Sequence, residues 1–265
     1  MIRNQWYVVL ESSEVKDRPI GVTRMGEKMV FWREKSGRVR AAVDRCPYRG
    51  VALSAGKVVQ DHLQCPFHGF EYDASGACTR VPAYGRHGVI PRALRLSTYP
   101  TYEAHGFIWI WWGNPVPQDL QPPEFFDNLD SSYEWASAQD LWNVHYSRVV
   151  ENQLDVMHLP FVHRNTIGRG NRTVVDGPVV VWKGEQRFRI YVYNRVDDGR
   201  PARRAAELAP KPEGSQYLEF LFPNLWQNYI TDKVSIVAAF VPVDEEHTLL
   251  YLRFYQRFNR LPVLG

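Results

Sequence analysis

Two similar short loops, each beginning with a cysteine and ending with a glycine, constrain this chain more than any other feature. The first loop is Cys-Pro-Tyr-Arg-Gly over 46–50, and the second is Cys-Pro-Phe-His-Gly over 65–69. Thiolate and imidazole groups are the ligands of zinc and of iron–sulfur centres in proteins. The loops therefore predict a metal site that includes Cys46, Cys65 and His68.

A structural zinc site or a disulfide would account for these cysteines less well. Structural zinc draws four ligands from two Cys/His pairs, and a disulfide needs an oxidising compartment. The chain has three cysteines in 265 residues and no apolar signal segment after Met1. Zinc or a chance pattern stays open as the minor alternative. Cys78 lies outside both loops and is expected to be a small buried apolar residue.

Composition excludes several function classes. The chain has 45% hydrophobic and 23% charged residues, which is ordinary for a globular protein long enough for two domains. Its 32 basic and 29 acidic residues leave a net charge of +3, which is too small and too evenly spread for nucleic-acid binding. No apolar run is long enough to span a membrane. We expect a cytoplasmic protein, since metal thiolates survive in a reducing compartment.

The first part of the chain is expected to form short strands joined by turns. Lys28–Arg33 and Val39–Val43 predict a hairpin turned by Ser36-Gly37, and Gln64-Cys65 and Phe70–Tyr72 flank the second loop. An aromatic strand from Tyr99 to Trp112 closes this small domain. The prolines of Asn114–Pro117 stiffen the chain and mark the boundary, so the domains are expected to be 1–116 and 117–265.

A second group of polar residues follows, in a stretch whose spacing is helical from Asp140 to His158. Asn152, Asp155 and His158 are three apart and form one stripe. Pro160 implies that the helix bends or ends there, and His163 follows shortly after. Two imidazoles brought together in this way can share one metal ion, with Asp155 as the acceptor for the other ring nitrogen. The alternative to a metal site is that these histidines lie at the surface, or in the core with their hydrogen bonds satisfied.

The two groups in this order resemble the α (oxygenase) subunit of the Rieske non-haem iron aromatic-ring-hydroxylating oxygenases, of the phthalate dioxygenase and demethylase type. The resemblance implies a Rieske [2Fe-2S] cluster, in which two thiolates hold one iron and two imidazoles hold the other. Cys46, Cys65 and His68 match three of those ligands. Tyr48 stands where the family has the other histidine, so ligation by Tyr48 is doubtful.

The resemblance also implies a mononuclear Fe(II) centre in the second domain. His158 and His163 match two ligands of a 2-His-1-carboxylate site. Asp155 and Asn152 match catalytic positions, and in the family the aspartate bridges to a Rieske histidine of the neighbouring protomer in a homotrimer. The implied fold is α+β, with a small all-β Rieske domain followed by a helix-grip catalytic domain.

The family's third iron ligand is a carboxylate in a C-terminal helix that has no match in this chain. Asp232 and Asp244 are nearest in order, and both are expected to be solvated turn carboxylates. The strands Val234–Val241 and Leu249–Phe254 are followed by the apolar tail Leu261–Gly265. We therefore expect a catalytic domain that is incomplete at its C-terminus, because the last strands lack a covering layer.

The implied activity is that of the oxygenase component of a multicomponent system. Electrons pass from NAD(P)H through a separate reductase or ferredoxin to the cluster and then to Fe(II), where O2 hydroxylates or demethylates a small aromatic-type substrate. The alternatives are an inactive homologue or fragment, and a Rieske protein that only transfers electrons. The basic stretch from Arg200 to Gly214 is expected to be a loop near the pocket, or a plain solvated loop.

Overall fold

The computed structural model describes residues 1–209, 211–212 and 214–258, and the chain divides into two compact units. Unit one comprises Met1–Pro123 with Val241–Glu245, and unit two runs from Glu124 to Phe240 and resumes at Glu246. The expected domain boundary after residue 116 stays a prediction. The apolar tail over 261–265, together with Pro210 and Glu213 of the basic stretch, lies outside the described residues.

Unit one is built from short antiparallel strands in three sheets. Their orders are β1-β11-β10, β2-β3-β4-β9 and β5-β6-β7-β8. The bounds are β1 Gln5–Glu11, β2 Ile20–Arg24, β3 Glu27–Arg33, β4 Val39–Val43, β5 Lys57–Val59, β6 His62–Gln64, β7 Glu71–Tyr72, β8 Cys78–Arg80, β9 Thr98–Tyr99, β10 Thr101–Ala104 and β11 Phe107–Trp112. Single 3-10 turns occur at Ser12–Glu14, Leu53–Ala55 and Pro82–Tyr84.

The predicted hairpin between β3 and β4 is confirmed, and β3 explains why unit one has two apolar cores. Met29 and Phe31 pack into one cluster, whereas Val30 and Trp32 pack into the cluster on the opposite side. Alternate side chains of a strand point to opposite faces, so the unbroken apolar run of β3 buries both faces of the strand. The second cluster also contains Cys46, Cys65 and Tyr72, which anchors both cysteine loops in a packed core.

The prediction of one aromatic strand from Tyr99 to Trp112 is wrong. Pro100 separates β9 from β10, and a turn at His105-Gly106 reverses the chain so that β10 pairs with β11, with Tyr102 opposite Trp109. Both turn residues have positive φ, 52° at His105 and 71° at Gly106. Proline lacks the amide proton that a strand interior needs, and glycine adopts positive φ without strain. Pro100 and Gly106 therefore divide the aromatic segment into separate strands.

In the described residues, unit two is a seven-stranded sheet with two helices. The strand order is β12-β18-β17-β16-β15-β14-β13, and β12 pairs antiparallel with β18. The bounds are β12 Glu134–Trp142, α1 Tyr146–Leu154, α2 Leu159–Val162, β13 Val174–Trp182, β14 Arg187–Arg195, β15 Tyr217–Leu221, β16 Leu225–Thr231, β17 Val234–Pro242 and β18 Thr248–Gln256, with a 3-10 turn at Ala205–Glu207. The predicted strands near 234 and 249 are confirmed.

Helix α1 covers one face of this sheet. Its Val149 is 1% exposed and packs in a cluster with side chains from five strands, namely Ile190, Leu218, Phe220, Trp226, Ala238, Phe240 and Leu250. A helix laid over an antiparallel sheet buries the apolar face of both. The predicted α+β class is therefore confirmed. Among the residues described, no helix has the length and apolar composition needed to cross a membrane.

The predicted helix from Asp140 to His158 is wrong in its extent. Asp140 and Trp142 belong to β12, because their backbone pairs with β18. Helix α1 ends at Leu154, and Asp155 has an extended backbone with φ −81° and ψ 126°. Asp155 stops the helix because its Oδ1 accepts from the Met157 N–H, 2.8 Å away, which is a turn contact. Pro160 lies in the first turn of α2, where proline is favoured.

Candidate functional site

The two cysteine loops of unit one have the same backbone conformation. The amide of Gly50 donates to the Cys46 carbonyl at 2.8 Å, and the amide of Gly69 donates to the Cys65 carbonyl at 3.1 Å. Both glycines have positive φ, 73° and 70°. Side chains other than glycine rarely adopt that conformation, so each glycine allows its loop to fold back tightly on the cysteine.

The loops bring two buried thiols together. Cys46 and Cys65 are 3% and 2% exposed, and neither is in a disulfide. Burial raises the pKa of the Cys65 thiol, and the adjacent Cys46 raises it further. The Tyr72 hydroxyl lies 3.4 Å from Cys46 Sγ, within hydrogen-bond distance for sulfur. Buried thiolates need a cation nearby, so this pair fits the half of an iron–sulfur cluster that binds through cysteine.

The other half of the cluster site contains one imidazole and one phenol. His68 is exposed, and its ring lies 4.1 Å from the Phe67 ring and 5.3 Å from the Tyr48 ring between centroids. Tyr48 is 46% exposed and stacks on Phe70 at 5.2 Å with an interplanar angle of 28°. His68 thus fits a cluster ligand, whereas Tyr48 packs as an aromatic side chain against its neighbours.

In unit two, the one-turn helix α2 brings His158 and His163 together. His158 precedes the helix and His163 follows it, with their ring centroids 5.4 Å apart. The Nδ1 atom of His158 lies 3.4 Å from Asp155 Oδ2. A histidine that contacts a carboxylate through one nitrogen has the other available for a metal. The arrangement therefore fits two imidazole ligands, with Asp155 orienting one of them.

Asn152 does not contact this pair. It is exposed on α1, and its Oδ1 accepts a hydrogen bond from Gln153 Nε2 at 3.3 Å. Asn152 lies on α1, whereas Asp155 and His158 follow its end, so the predicted single helical stripe is wrong. The part of Asn152 in catalysis stays a prediction.

No third metal ligand is present among the described residues. Within them, no group of three or more His, Cys, Asp or Glu side chains is arranged to hold a metal ion. Asp232 lies in the turn between β16 and β17, 64% exposed, and Arg257 is 3.3 Å away. Asp244 lies in the turn between β17 and β18. The two histidines fit two of the three positions of a facial triad, and their role as iron ligands stays a prediction.

A pocket of about 570 Å³ adjoins the histidine segment. Val156, Leu159 and Pro160, which flank or separate the two histidines in sequence, form part of its lining. Gly168 packs directly on this wall, since a Cβ there would lie 1.8 Å from the Leu159 carbonyl oxygen. The volume is in the range of small-molecule sites.

The sequence analysis missed most polar residues of the pocket. Asp176, Arg195 and Arg172 come from strands or loops whose sequence carries no motif. Arg203 and Lys211 belong to the basic stretch, and both line the pocket, so the expected loop near the pocket is confirmed. The signal present in the sequence was the excess of arginine there. It did not identify which residues face the pocket.

Asp176 ties this loop to the sheet. It is completely buried on β13 and accepts from the Arg203 backbone N–H at 2.9 Å, from Arg203 Nη2 at 2.7 Å and from Arg195 Nε at 3.3 Å. The backbone hydrogen bond from Arg203, with the two guanidinium groups, holds the pKa of Asp176 below its usual range. The ionised carboxylate is therefore the form that the fold stabilises.

We expect Asp176→Asn to lower the urea midpoint of unfolding at pH 7, because Arg195 and Arg203 lose their shared anion. A lowered pKa contributes stability above the unfolded-state pKa of about 3.9, and that contribution disappears as pH falls through the lower folded pKa. The difference between the wild type and the variant should therefore shrink below about pH 4. Urea titrations at several pH values measure this. Glu185→Gln, in the exposed turn after β13, is the control, and a difference independent of pH would contradict the prediction.

Comparison with known proteins matches both halves of the chain. Residues 5–100 match the Rieske [2Fe-2S] domain, and residues 142–262 match the vanillate O-demethylase oxygenase C-terminal domain. The oxygenase component of dicamba O-demethylase from Stenotrophomonas maltophilia is 30% identical over 251 residues, which are 93% of this chain and 69% of that protein. The chain belongs to the Rieske oxygenases.

A second sequence relative and a solved structure agree with this assignment. The vanillate O-demethylase oxygenase subunit of a Pseudomonas species is 33% identical over 181 residues, which cover 67% of this Rieske oxygenase and 49% of that subunit. A crystal structure of dicamba monooxygenase bound to dicamba has a TM-score of 0.75 at 23% identity, covering 97% of this chain and 78% of the other. That likeness confirms the predicted fold.

Family membership confirms the predicted enzyme class. The Rieske oxygenase described here is an oxidoreductase, the oxygenase component of a multicomponent system that works with electron-donor proteins. Its cofactors by family are a Rieske cluster and mononuclear iron. The buried thiols, His68 and the histidine pair fit these groups, and Tyr48 is the position that does not fit.

Proposed function

We propose that this Rieske oxygenase hydroxylates or demethylates a small aromatic-type molecule bound in the pocket of unit two. The observation that carries the proposal is the shared segment: Leu159 and Pro160, two of the four residues between His158 and His163, also line the pocket. A substrate in this pocket would contact the segment that carries the imidazole pair. Mononuclear iron, when bound, would supply O2 activation there, with electrons from NAD(P)H through a separate reductase or ferredoxin.

The chain's own residues have separable tasks in this proposal. Cys46, Cys65 and His68 would hold the cluster. His158 and His163 would hold the iron, and Asp155 fixes the orientation of His158 through its Nδ1 contact. The reduced thiols are compatible with a cytoplasmic location.

Apolar side chains form the pocket lining on the side of the histidine segment. Leu159 and Pro160 belong to this part of the lining, and Val156 lies just before His158. A bound aromatic ring would displace water from these side chains.

The proposal is tested by turnover. The wild-type protein and its Tyr48→His variant, both reconstituted with iron and sulfide, are mixed with NADH, a Rieske-oxygenase reductase and a panel of methoxylated and unsubstituted aromatic compounds. We expect O2 consumption that depends on one class of compound and is faster in Tyr48→His, with formaldehyde or a hydroxylated product formed in proportion. O2 consumption that no compound stimulates would contradict the proposal.

One observation favours a second candidate, a homologue that keeps the fold without oxygenase activity. Tyr48 packs against Phe70 at a position where the family has a cluster ligand. Iron analysis separates the candidates, because an oxygenase holds about three irons per chain, an electron carrier two, and an inactive homologue one or none.

We further propose a head-to-tail homotrimer in which His68 of one protomer approaches Asp155 of the next. A repeated head-to-tail contact closes into a ring when its rotation allows. Asp155 is suited to such a bridge, because its side chain is 40% exposed and Oδ2 contacts His158. Sedimentation of the holoprotein at a trimer mass supports this assembly, and a monomer contradicts it.

Asp155→Asn, loaded with excess iron to offset the weaker contact to His158, should keep its iron content nearly unchanged and slow electron transfer between the two centres by about tenfold or more. The amide oxygen still accepts from the Met157 N–H, so the turn is kept, while the charge facing His158 is removed. Single-turnover oxidation of the reduced cluster measures the rate. Asp140→Asn, on the exposed edge strand β12, is the control. Transfer at the wild-type rate in Asp155→Asn would count against the bridge.

A further inference from the structure

A row of aromatic side chains crosses the sheet of unit two on the face opposite α1. Strand pairing places Tyr217 beside Tyr229, and it places Tyr255 beside Trp135 of the edge strand β12. Alternate residues of a strand point to opposite faces. Leu218, the residue after Tyr217, packs in the cluster that α1 covers, so Tyr217 belongs to the other face of the sheet.

The row begins at the wall of the pocket. Tyr217 lines the pocket and is 7% exposed. Its ring is stacked on that of Tyr229, with 4.7 Å between the ring centroids and an interplanar angle of 5°. Leu159 and Pro160, from the segment that carries the imidazole pair, line the same pocket. A reactive species formed beside that segment can therefore reach the Tyr217 ring.

Tyr133 continues the row beyond Tyr229. Its hydroxyl donates to the Asp232 carbonyl at 2.6 Å, in the turn that follows the strand of Tyr229. Burial raises the pKa of Tyr133, and the phenol of Tyr229 raises it further, because the two phenols lie near each other. The Tyr133 ring also meets the Tyr255 ring edge to face, with 6.4 Å between centroids. Tyr133 thus connects the two strand pairs.

The row ends at the surface. The Tyr255 and Trp135 rings are 6.2 Å apart between centroids, and Trp135 is 42% exposed. Arg253, which is buried, holds this end of the row. Its guanidinium carbon lies 3.8 Å from the centre of the Trp135 ring, and its Nη1 donates to the Tyr255 hydroxyl at 3.2 Å. Phenols and indoles are among the side chains that lose an electron most easily, so the row joins the pocket to solvent through oxidisable groups.

We propose that this row carries oxidising equivalents from the pocket to Trp135, which makes Trp135 the site where unproductive oxidation leaves the protein. The inference rests on the proposed function, because the oxidant is formed by iron in unit two. Oxidation that does not reach a substrate would otherwise fall on the pocket wall and on the two histidines beside it. A route to an exposed indole removes it from both.

The chemistry is an exchange of hydrogen atoms along the row. Peroxide that Fe(II) reduces gives hydroxide and a hydroxyl radical, and this radical takes the phenolic hydrogen of Tyr217 to form water. The Tyr217 phenoxyl radical takes an electron and a proton from Tyr229, which restores the first phenol. The same exchange continues through Tyr133 and Tyr255 to the indole N–H of Trp135. A soluble thiol then returns a hydrogen atom to Trp135. Without a thiol, the indolyl radical adds O2, and the peroxyl radical takes a hydrogen atom from peroxide.

Treatment of the Fe(II)-loaded protein with hydrogen peroxide, without reductase, thiol or substrate, tests the proposal. Peptide mass spectrometry measures the oxygen added at Trp135 and at Trp182, which is 57% exposed and lies outside the row. Trp135 should be oxidised in preference, although Trp182 is more exposed. Tyr229→Phe keeps a stacked ring and removes the hydroxyl that the exchange needs, so the ratio of Trp135 to Trp182 oxidation should fall at least about tenfold. Tyr193→Phe, in the pocket lining but outside the row, is the matched control and should leave the ratio unchanged.

Equal oxidation of Trp135 and Trp182 in the wild-type protein would overturn the proposal, and so would an unchanged ratio in Tyr229→Phe. An equal fall in Tyr193→Phe would also overturn it, because the row would then have no special part. Iron analysis of the same samples separates the proposal from the proposed function. If unit two holds iron and Trp135 is not preferred, only the row is refuted. Absence of iron from unit two would refute both, because both depend on that iron.

Discussion

Tyr48→His should give a strong Rieske-type electron paramagnetic resonance signal after reduction, whereas the wild-type protein gives little or none. The reason is geometric. In the family the cluster imidazole binds through the nitrogen nearer the backbone, and a phenol oxygen lies at the far end of its ring. Tyr48 stacks on Phe70 and meets His68 edge to face, so its ring is held by aromatic packing against both. A phenol must also lose a proton with a pKa of about 10 before it binds iron as an anion.

The measurement is made on protein reconstituted anaerobically with iron and sulfide and then reduced with dithionite. Iron bound at the cluster site should rise from nearly none to about two per chain in Tyr48→His. Tyr48→Phe is the matched control, because it keeps the stacking on Phe70 and removes only the hydroxyl. A full signal in the wild type that disappears in Tyr48→Phe would instead establish phenolate ligation.

The cluster half of the site could be predicted from sequence because its determinants are local. Each loop needs a cysteine and, four residues later, a glycine with positive φ, as Gly50 and Gly69 have. The flanking strands are marked by alternation and by turn residues such as those between β3 and β4. A structure built from neighbours in sequence leaves its pattern in the sequence.

The rest could not be predicted because it depends on contacts between distant segments. The spacing around Asp140 predicts a helix. The segment instead forms strand β12, because its backbone pairs with β18, which is distant in sequence. The backbone turn at Asp155 likewise replaces a continuous helix with two short ones. Tertiary pairing overrides local periodicity at Asp140, whereas at Asp155 a side-chain contact to the Met157 N–H ends the helix.

The pocket shows the same limit. Lys211, Asp176 and Arg172 meet there only because β13, β14 and the loops around them are folded together. The sequence near Asp176 and Arg172 gives no sign of a binding site, and the basic stretch around Lys211 does not show which of its residues face the pocket. The pairing of Asp176 with Arg195 and Arg203 is likewise visible only in the structure.

In the Tyr48→His background, His163→Ala should remove nearly all mononuclear iron from unit two and lower product formation by at least about 100-fold. With Nδ1 of His158 facing Asp155, Nε2 of His158 is the nitrogen left for a metal, and His163 is the second imidazole within 5.4 Å between ring centroids. Loss of a contact that only orients a ligand typically costs about 10–100-fold in metal affinity, so loss of a ligand itself should cost more.

Total iron is measured by metal analysis, and the iron of the cluster is determined from the absorbance of the cluster. The difference between the two is the iron bound to unit two. His163 follows α2 and its backbone N–H still bonds to the Leu159 carbonyl in the variant, so the helix is expected to persist and the circular dichroism spectrum to stay unchanged. His87→Ala, at an exposed position of unit one, should retain iron and activity. If His163→Ala keeps the wild-type iron content, the metal is held elsewhere, and the pairing of His158 with His163 is structural.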